Sequence, residues 1–245
     1  MKRVDLNADL GEGFADEALV PWITSANVAC GYHAGDPATM ERTAALCAAH
    51  SVSVGAHPGL PDREGFGRAE RAVRPGEVAA WVLDQVRALA AAADRAGVRL
   101  RHLKPHGALY HMAARDEAVA AEIVEASRSF DPALVLIVPP GSALERSALA
   151  AGSRVAREGF PERGYLADGR LAPRGVPGAL VEDPAEAAAR AVALCLGLPI
   201  RAVDGADVRL EVETLCVHGD SPGAAAIARA VRTALDAAGI EVVAL

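Results

Sequence analysis

Residues 25–57 run Ser25-Ala-Asn-Val-Ala-Cys-Gly-Tyr-His-Ala-Gly-Asp36, Pro37-Ala-Thr-Met-Glu-Arg-Thr-Ala-Ala-Leu-Cys-Ala-Ala-His50 and Ser51-Val-Ser-Val-Gly-Ala-His57. A short apolar run, Ala26–Ala29, precedes a longer stretch from Pro37 to His50, and a second short run, Ser51–Gly55, follows. Proline after an aspartate is a favourable helix start, because proline lacks the N–H that a first turn leaves unbonded. A helix joining two short strands is the crossover that parallel pairing requires.

The same alternation extends in both directions. Strands are predicted at Val4–Ala8, Ala26–Ala29, Ser51–Gly55, Leu100–Lys104, Leu134–Val138, Arg154–Arg157 and Glu213–Val217, with Glu241–Leu245 a weaker eighth. Helices are predicted at Pro37–His50, Asp116–Ser129, Ser142–Ala151, Pro184–Leu196 and Pro222–Ala238. A further one is opened by Arg74-Pro75-Gly76, runs to Ala96 and is closed by Gly97. Seven or eight such units in 245 residues fit one closed or partly closed (β/α) barrel domain over residues 1–245. A doubly wound open sheet is the rival, and periodicity alone does not separate the two. Tyr165-Leu-Ala-Asp-Gly-Arg-Leu171 breaks the alternation. Its Asp168-Gly169, flanked by apolar residues, predicts a β-hairpin leaving the barrel.

Composition narrows the function. At 51% hydrophobic and 23% charged residues, the chain can build a sizeable core. A net charge of −7 disfavours nucleic acid or an anionic membrane as partner. Cys30, Cys47, Cys195 and Cys216 are scattered without a CxxC pair, as expected of reduced, buried thiols rather than a zinc knuckle or disulfide framework. Met1-Lys2-Arg3-Val4-Asp5 does not resemble a signal peptide, and no run of about 18 apolar residues occurs. A cytoplasmic protein is expected.

Polar residues cluster just after the strands: Asn7, Asp9 and Glu12; Cys30 to Asp36; His57, Asp62 and Arg63; Lys104 and His106; Glu158 and Arg163; His218, Asp220 and Ser221. Parallel strands point one way, so these segments converge on the carboxyl rim, where α/β active sites form. An aspartate at a strand end often serves only as a cap, and Asp36 ahead of Pro37 suits that role as well as a functional one. His50 and His102, within a helix end and a strand, read as structural, and His111 carries no signal. His33, His57, His106 and His218 follow strands in turns containing glycine or proline. Imidazoles there can act as acid, base or ligand near neutral pH. Asp9 and Glu12 add carboxylates for a base or a metal. Lysine is used only at Lys2 and Lys104 in a chain that otherwise prefers arginine. Lys104 at a strand end therefore points to a compact ammonium needed there. There is no GxxxxGK[ST] phosphate loop, so any ATP use rests on another kind of site or on another chain.

Read together, the rim segments resemble the LamB/YcsF family. The similar stretches are Asp5-Leu-Asn-Ala-Asp-Leu-Gly-Glu12, Ser25 to Asp36, Gly55-Ala-His-Pro58, Pro61-Asp62, Gly65-Phe-Gly-Arg68, Lys104-Pro-His-Gly-Ala-Leu-Tyr110 and Leu215-Cys-Val-His-Gly-Asp220. The departures are Tyr32 for phenylalanine, His111 for asparagine and Glu162 for aspartate, and the last puts a role for that position in doubt. The resemblance implies a distorted TIM-like barrel similar to those of polysaccharide deacetylases. It implies hydrolysis of 5-oxo-L-proline to L-glutamate coupled to ATP hydrolysis, in a complex with B and C subunits.

On that reading Asp9 or Glu12 is the base, Lys104 the cation for developing charge, and His57 or His106 the acid. Asn7, Asn27, His33, Asp36, Asp62, Glu158, Arg163, His218 and Asp220 are expected in substrate binding, the substrate carboxylate meeting a backbone nest or Arg163. ATP is the expected cofactor, at a site possessed by or shared with partner subunits. Two other readings stay open: a metal-dependent deacetylase or amidohydrolase with Asp9, His57 and His106 as a facial divalent-metal set, and a non-catalytic binding subunit.

Overall fold

The structure, a computed structural model, describes residues 2–220 and 223–245. Along the chain lie β1 (Arg3–Leu10), α1 (Asp16–Leu19), β2 (Ser25–Ala29), α2 (Pro37–Ala49), β3 (Ser53–His57), α3 (Glu77–Arg95), β4 (Leu100–Leu103), α4 (Gly107–Arg115) and α5 (Glu117–Phe130). They are followed by β5 (Val135–Val138), α6 (Ala143–Ala150), β6 (Arg154–Gly159), α7 (Pro184–Cys195), β7 (Ile200–Arg201), β8 (Asp207–Val208), β9 (Thr214–Val217), α8 (Ala224–Ala237) and β10 (Glu241–Val242).

Strands β1-β2-β3-β4-β5-β6-β9 pair in that order, all parallel, and β9 returns to β1. The sheet is therefore a closed seven-stranded barrel, and the open-sheet alternative falls away. The weak eighth strand is present as β10, which pairs in parallel with β1 at Arg3 and Val4, outside the closed ring.

The elements form for local reasons. Asp36 accepts the Thr39 N–H at the start of α2, with Pro37 in the first turn. In α3, Val78, Val82, Val86, Leu89 and Ala93 are buried at helical spacing, which gives one face to lay on the barrel. In β1, Val4, Leu6, Ala8 and Leu10 enter the large apolar core shared with the helices. Alternation then points Asp5, Asn7 and Asp9 into the barrel. Val135, Ile137 and Ala156 form a small cluster separate from that core.

Some boundaries move. β3 begins at Ser53 rather than Ser51, because Ser51 adopts a left-handed φ of 58° just after α2. The segment after Lys104 forms its own helix, α4, and Asp116 then caps α5 by accepting the Ala118 and Val119 N–H groups. Pro222, the expected start of the last helix, and Ser221 lie outside the described residues. Tyr165–Leu171 does reverse sharply. It is held by the Tyr165–Leu171 bridge and the Leu166 N–H donating to the Arg170 carbonyl, too short for a continuous ladder. The β7–β8 hairpin turns at Asp204-Gly205, an apolar-flanked Asp-Gly pair like Asp168-Gly169, with Gly205 at a φ of 86°.

Candidate active site

Inside the barrel, polar side chains form a connected column from its closed end to the rim. Asp5 Oδ1 accepts from the Thr24 and Ser25 hydroxyls at 2.8 and 2.6 Å, and Oδ2 accepts from Thr214 at 2.5 Å. Asn7 donates to Thr214 Oγ1 at 2.7 Å and Glu158 Oε1 at 3.2 Å, and accepts from Asn27 at 2.7 Å. Asn27 also donates to Asp9 Oδ1 at 2.9 Å. His102 reaches Asn27 Oδ1 at 3.0 Å, and burial pushes its pKa down to about 3. Gly55 makes room for that ring, since a Cβ there would sit 2.1 Å from His102 Cδ2.

Above this column lies Lys104. Its Nζ is 3.0 Å from Asp9 Oδ1, 2.9 Å from Glu158 Oε1 and 3.0 Å from Cys216 Sγ, and it sits 5.4 Å from the Phe160 ring centroid. Burial alone would lower the Lys104 pKa, but the Asp9, Cys216 and Glu158 groups outweigh it and hold it well above the ordinary value. Burial would raise Asp9. The His57 and Lys104 charges prevail and keep its carboxyl well below the usual range. Both groups are therefore charged at neutral pH.

A second cluster adjoins Asp9. Glu12 Oε1 lies 3.1 Å from His33 Nε2, 3.2 Å from His106 Nδ1 and 3.7 Å from His57 Nε2. His57 Nε2 is 3.0 Å from His106 Nδ1 and 3.4 Å from Asp9 Oδ2. Two backbone carbonyls fix the outer ring nitrogens: His57 Nδ1 is 2.8 Å from the Lys104 oxygen, and His106 Nε2 is 2.8 Å from the Phe66 oxygen. The donor set of Glu12, His33, His57 and His106 is compact enough to hold a metal ion, as is a second group of Asp9, Cys216 and His218.

On the opposite wall, Glu162 Oε1 accepts both the His218 backbone N–H at 2.9 Å and its ring Nδ1–H at 2.6 Å. The His218 ring stacks on Phe160. Glu162 thus still orients a rim histidine despite its extra methylene. Arg163 is buried and donates to the Ala179 and Ala172 carbonyls at 3.3 and 2.9 Å. Arg68, Arg115, Arg170 and Arg174, the other cavity arginines, each meet a carboxylate. Among the described residues Arg163 alone of these has no carboxylate at ion-pair distance. Burial, reinforced by Arg174, lowers its pKa to about 10.

These walls enclose a cavity of about 660 Å³, lined by Asp9, Glu12, His57, Lys104, His106, Glu158, Arg163, His218 and Asp220, with the Tyr165–Arg174 excursion as its outer wall. The sequence profile of the LamB/YcsF family matches residues 4–245.

The chain belongs to the LamB/YcsF family.

This LamB/YcsF chain is 50% identical to the A component of 5-oxoprolinase from Syntrophobacter fumaroxidans, over 99% of this chain and 98% of that one. It is 52% identical to the corresponding 5-oxoprolinase component of Methylococcus capsulatus, over 100% of this chain and 96% of that one. The crystal structure of a lactam utilization protein from Thermus thermophilus superposes with a TM-score of 0.93 at 48% identity, covering 99% of this chain and all of that one. A family 4 carbohydrate esterase from Streptomyces lividans shares the fold alone, with a TM-score of 0.53 at 9% identity over 98% and 91% of the two chains.

Most of the rim residues singled out in this LamB/YcsF sequence meet in space. Asn7 and Asn27 lie beneath the cavity floor, and His33 sits behind His106, with their rings stacked. Asp36 caps α2 on the surface. Asp62 accepts the Gly65 N–H within its loop. Neither aspartate lines the cavity. Cys216 and Phe160 contact Lys104, but a buried thiol and a phenyl ring carry no functional signal in a sequence. Gly219-Asp220-Ser221-Pro222-Gly223 has GxSxG spacing, but its serine lies outside the described residues.

Proposed function

We propose that this chain is the lactam-opening subunit of an ATP-dependent 5-oxoprolinase, converting 5-oxo-L-proline to L-glutamate together with B and C subunits in the cytoplasm, with residues 1–245 acting as one barrel domain. The observation that carries this reading is the pairing of two cations in one cavity. One is the Lys104 ammonium, held between Asp9 and Glu158. The other is the Arg163 guanidinium, which bonds only backbone carbonyls and has no carboxylate partner among the described residues. A buried, unpaired charge is costly, so an anionic ligand group is the natural complement to Arg163. 5-Oxoproline offers one carboxylate and one cyclic amide. The relatives named as 5-oxoprolinase components add their weight.

In this reading Arg163 binds the substrate carboxylate and the lactam carbonyl lies toward Lys104. Water adds to that carbon, and the amide C–N bond breaks. Lys104 stabilises the developing negative oxygen. Asp9 or Glu12 takes the water proton as base, and His57 or His106 gives a proton to the leaving nitrogen as acid. A lactam is a resonance-stabilised amide, so phosphorylating its oxygen with ATP makes a better electrophile. The sequence holds no Walker-type phosphate loop, and the nucleotide site is assigned to the partners or to a surface shared with them.

The test is 5-oxoproline-dependent ATP hydrolysis with glutamate release, measured for this chain alone and with co-expressed B and C subunits. Turnover is expected only in the reconstituted complex. A reconstituted complex that forms no glutamate would overturn the assignment, and full ATP-coupled turnover by the single chain would overturn the dependence on partners.

A further inference from the structure

We propose that His57, His106 and Glu12 form a three-ligand site for a divalent transition metal of the zinc class, with His33 as an orienting residue rather than a ligand. The site goes beyond the lactam-opening reading and is tested apart from it; where an ion occupies the inner nitrogens of His57 and His106, Asp9 is left as the proton carrier.

The first support is the direction of the lone pairs. The carbonyls of Lys104 and Phe66 each accept from the outer nitrogen of one imidazole, at 2.8 Å in both cases. That places the N–H on His57 Nδ1 and on His106 Nε2, the arrangement that metal-ligating histidines adopt. The inner nitrogens, His57 Nε2 and His106 Nδ1, then aim lone pairs at each other across 3.0 Å. The carboxylate oxygen of Glu12 stands 3.2 and 3.7 Å from His106 Nδ1 and His57 Nε2. With both rings neutral, the form that binds a metal, three acceptors converge. One shared proton would join two of the atoms and leave the third facing them. A cation between all three satisfies each.

The second support is distance. Zinc–nitrogen and zinc–oxygen bonds of about 2.0–2.2 Å give a tetrahedron whose donor–donor edge is about 3.3 Å. The three observed edges, 3.0, 3.2 and 3.7 Å, bracket that length. The His57 and His106 rings are perpendicular, at 90°, so their planes intersect and their lone pairs can meet at one point.

The same geometry excludes His33. Its ring is parallel to that of His106, at 2° with centroids 3.7 Å apart. In-plane lone pairs in two stacked planes cannot meet at one ion. His33 Nε2 instead donates to Glu12 Oε1 at 3.1 Å, which fixes the carboxylate. Glu12, His57 and His106 line the cavity and His33 does not, so a fourth coordination position opens toward substrate, as in catalytic rather than structural zinc sites. Asp9 borders the cluster, with Oδ1 engaged by Lys104 and Asn27 and Oδ2 3.4 Å from His57 Nε2. Glu12 completes the set because its carboxylate is the one whose oxygen lies within mutual reach of both inner nitrogens. Bound there, the metal would supply an acidified water beside Lys104.

The experiment uses the full chain, stripped of metal, titrated with Zn²⁺ by calorimetry and with Co²⁺ by visible absorption. One equivalent is expected to bind, with an intense visible cobalt spectrum typical of a tetrahedral site. Glu12→Gln, His57→Ala and His106→Ala should each weaken binding by more than about 100-fold, and His33→Asn by about 10–100-fold, the range for an outer-shell partner. His50→Ala, on the exposed surface, should bind as the parent does. Circular dichroism of each variant separates lost binding from lost fold, and Glu12→Gln preserves shape if the histidine variants unfold. The proposal is overturned by absence of saturable binding in the parent chain or by equal affinity in folded Glu12→Gln. A thiolate-to-cobalt charge-transfer band would also overturn it, since that band places the ion at Asp9, Cys216 and His218 instead.

Discussion

Asp5 and Asp9 leave the same strand on the same face, four residues apart, and both are buried in the barrel. Their surroundings divide the interior into two regions. At the closed end, three hydroxyls from Thr24, Ser25 and Thr214 converge on Asp5, and among the described residues no cation approaches it within ion-pair distance. Burial raises its pKa above 3.8, and the three hydroxyl bonds only partly offset the rise. At the rim, Asp9 meets an ammonium and an imidazole, which drive its pKa the other way despite burial. Neutral donors make a carboxyl part of the scaffold, whereas a paired cation makes it part of an ionised site. Asn7 and Glu158 join the two regions.

The sharpest way to break this contrast is to remove the cation. Lys104→Ala is expected to lower turnover of the reconstituted enzyme by about 10²–10³, the scale of losing one donor to developing charge. Because Asp9 and Glu158 would then lose their shared partner, it should also destabilise the fold by about 3–5 kcal/mol. Lys104→Arg retains the charge without the compact head group and should stay folded while rescuing turnover poorly. Turnover and urea midpoints for both variants decide the matter; near-parent turnover in folded Lys104→Ala would remove Lys104 from the chemistry.

Asp9→Asn should destabilise by about 3 kcal/mol at pH 7, since Glu158 still faces the ammonium. A lowered folded pKa contributes stability that is present above the unfolded value, 3.8, and is lost as pH falls through the folded value. The deficit relative to the parent should therefore be constant from pH 7 to 5 and narrow only below about 4. Narrowing already between pH 7 and 5 would show that another group is responsible.

Asn7→Ala probes the junction. It leaves Glu158, Thr214 and Asn27 each short of one partner, and about 1–3 kcal/mol should be lost. If the two regions are linked through Asn7, a double-mutant cycle with Thr214→Val will be non-additive.

The smallest effect belongs to the closed end. Asp5→Asn should change stability by no more than about 1 kcal/mol at pH 7 and leave turnover near that of the parent. Its pH dependence should have the opposite sign. A raised folded pKa contributes stability that is fully present below 3.8 and is lost as pH rises through the folded value. The parent should therefore gain on Asp5→Asn as pH falls toward about 4, whereas its lead over Asp9→Asn begins to shrink only below that pH. Parallel pH profiles for the two variants would erase the distinction between the regions.

Much of the barrel is legible in local pattern. Each strand of the closed ring lies within two residues of its expected position, because short apolar runs between capped helices have few other solutions. The Ser51 boundary is not legible, since a serine gives no warning of a left-handed turn. In the site, Asp9, His57, Lys104 and His106 stand out by their place after strands. Asp36 carries the same signal and the structure shows it capping a helix on the surface, because cap and rim positions coincide where a loop enters a helix. Glu162, Cys216 and Phe160 carry no signal, because their importance comes from the neighbours they touch.

By itself the sequence determined the alternation of strand and helix, the single direction of the strands and the gathering of polar residues at their carboxyl ends, because these follow from periods of a few residues and from capping chemistry. Only the tertiary structure decided which β1 carboxyl would be ionised and which tautomers the histidines would take. Asp5 meets Thr214 across 209 residues, Asn7 meets Glu158 across 151, and Lys104 meets Asp9 across 95. The carbonyls that fix His57 and His106 come from residues 47 and 40 positions away. Charge state depends on what stands within about 4 Å of a buried group, and in a closed barrel those neighbours are set by the ring of strands rather than by the local chain.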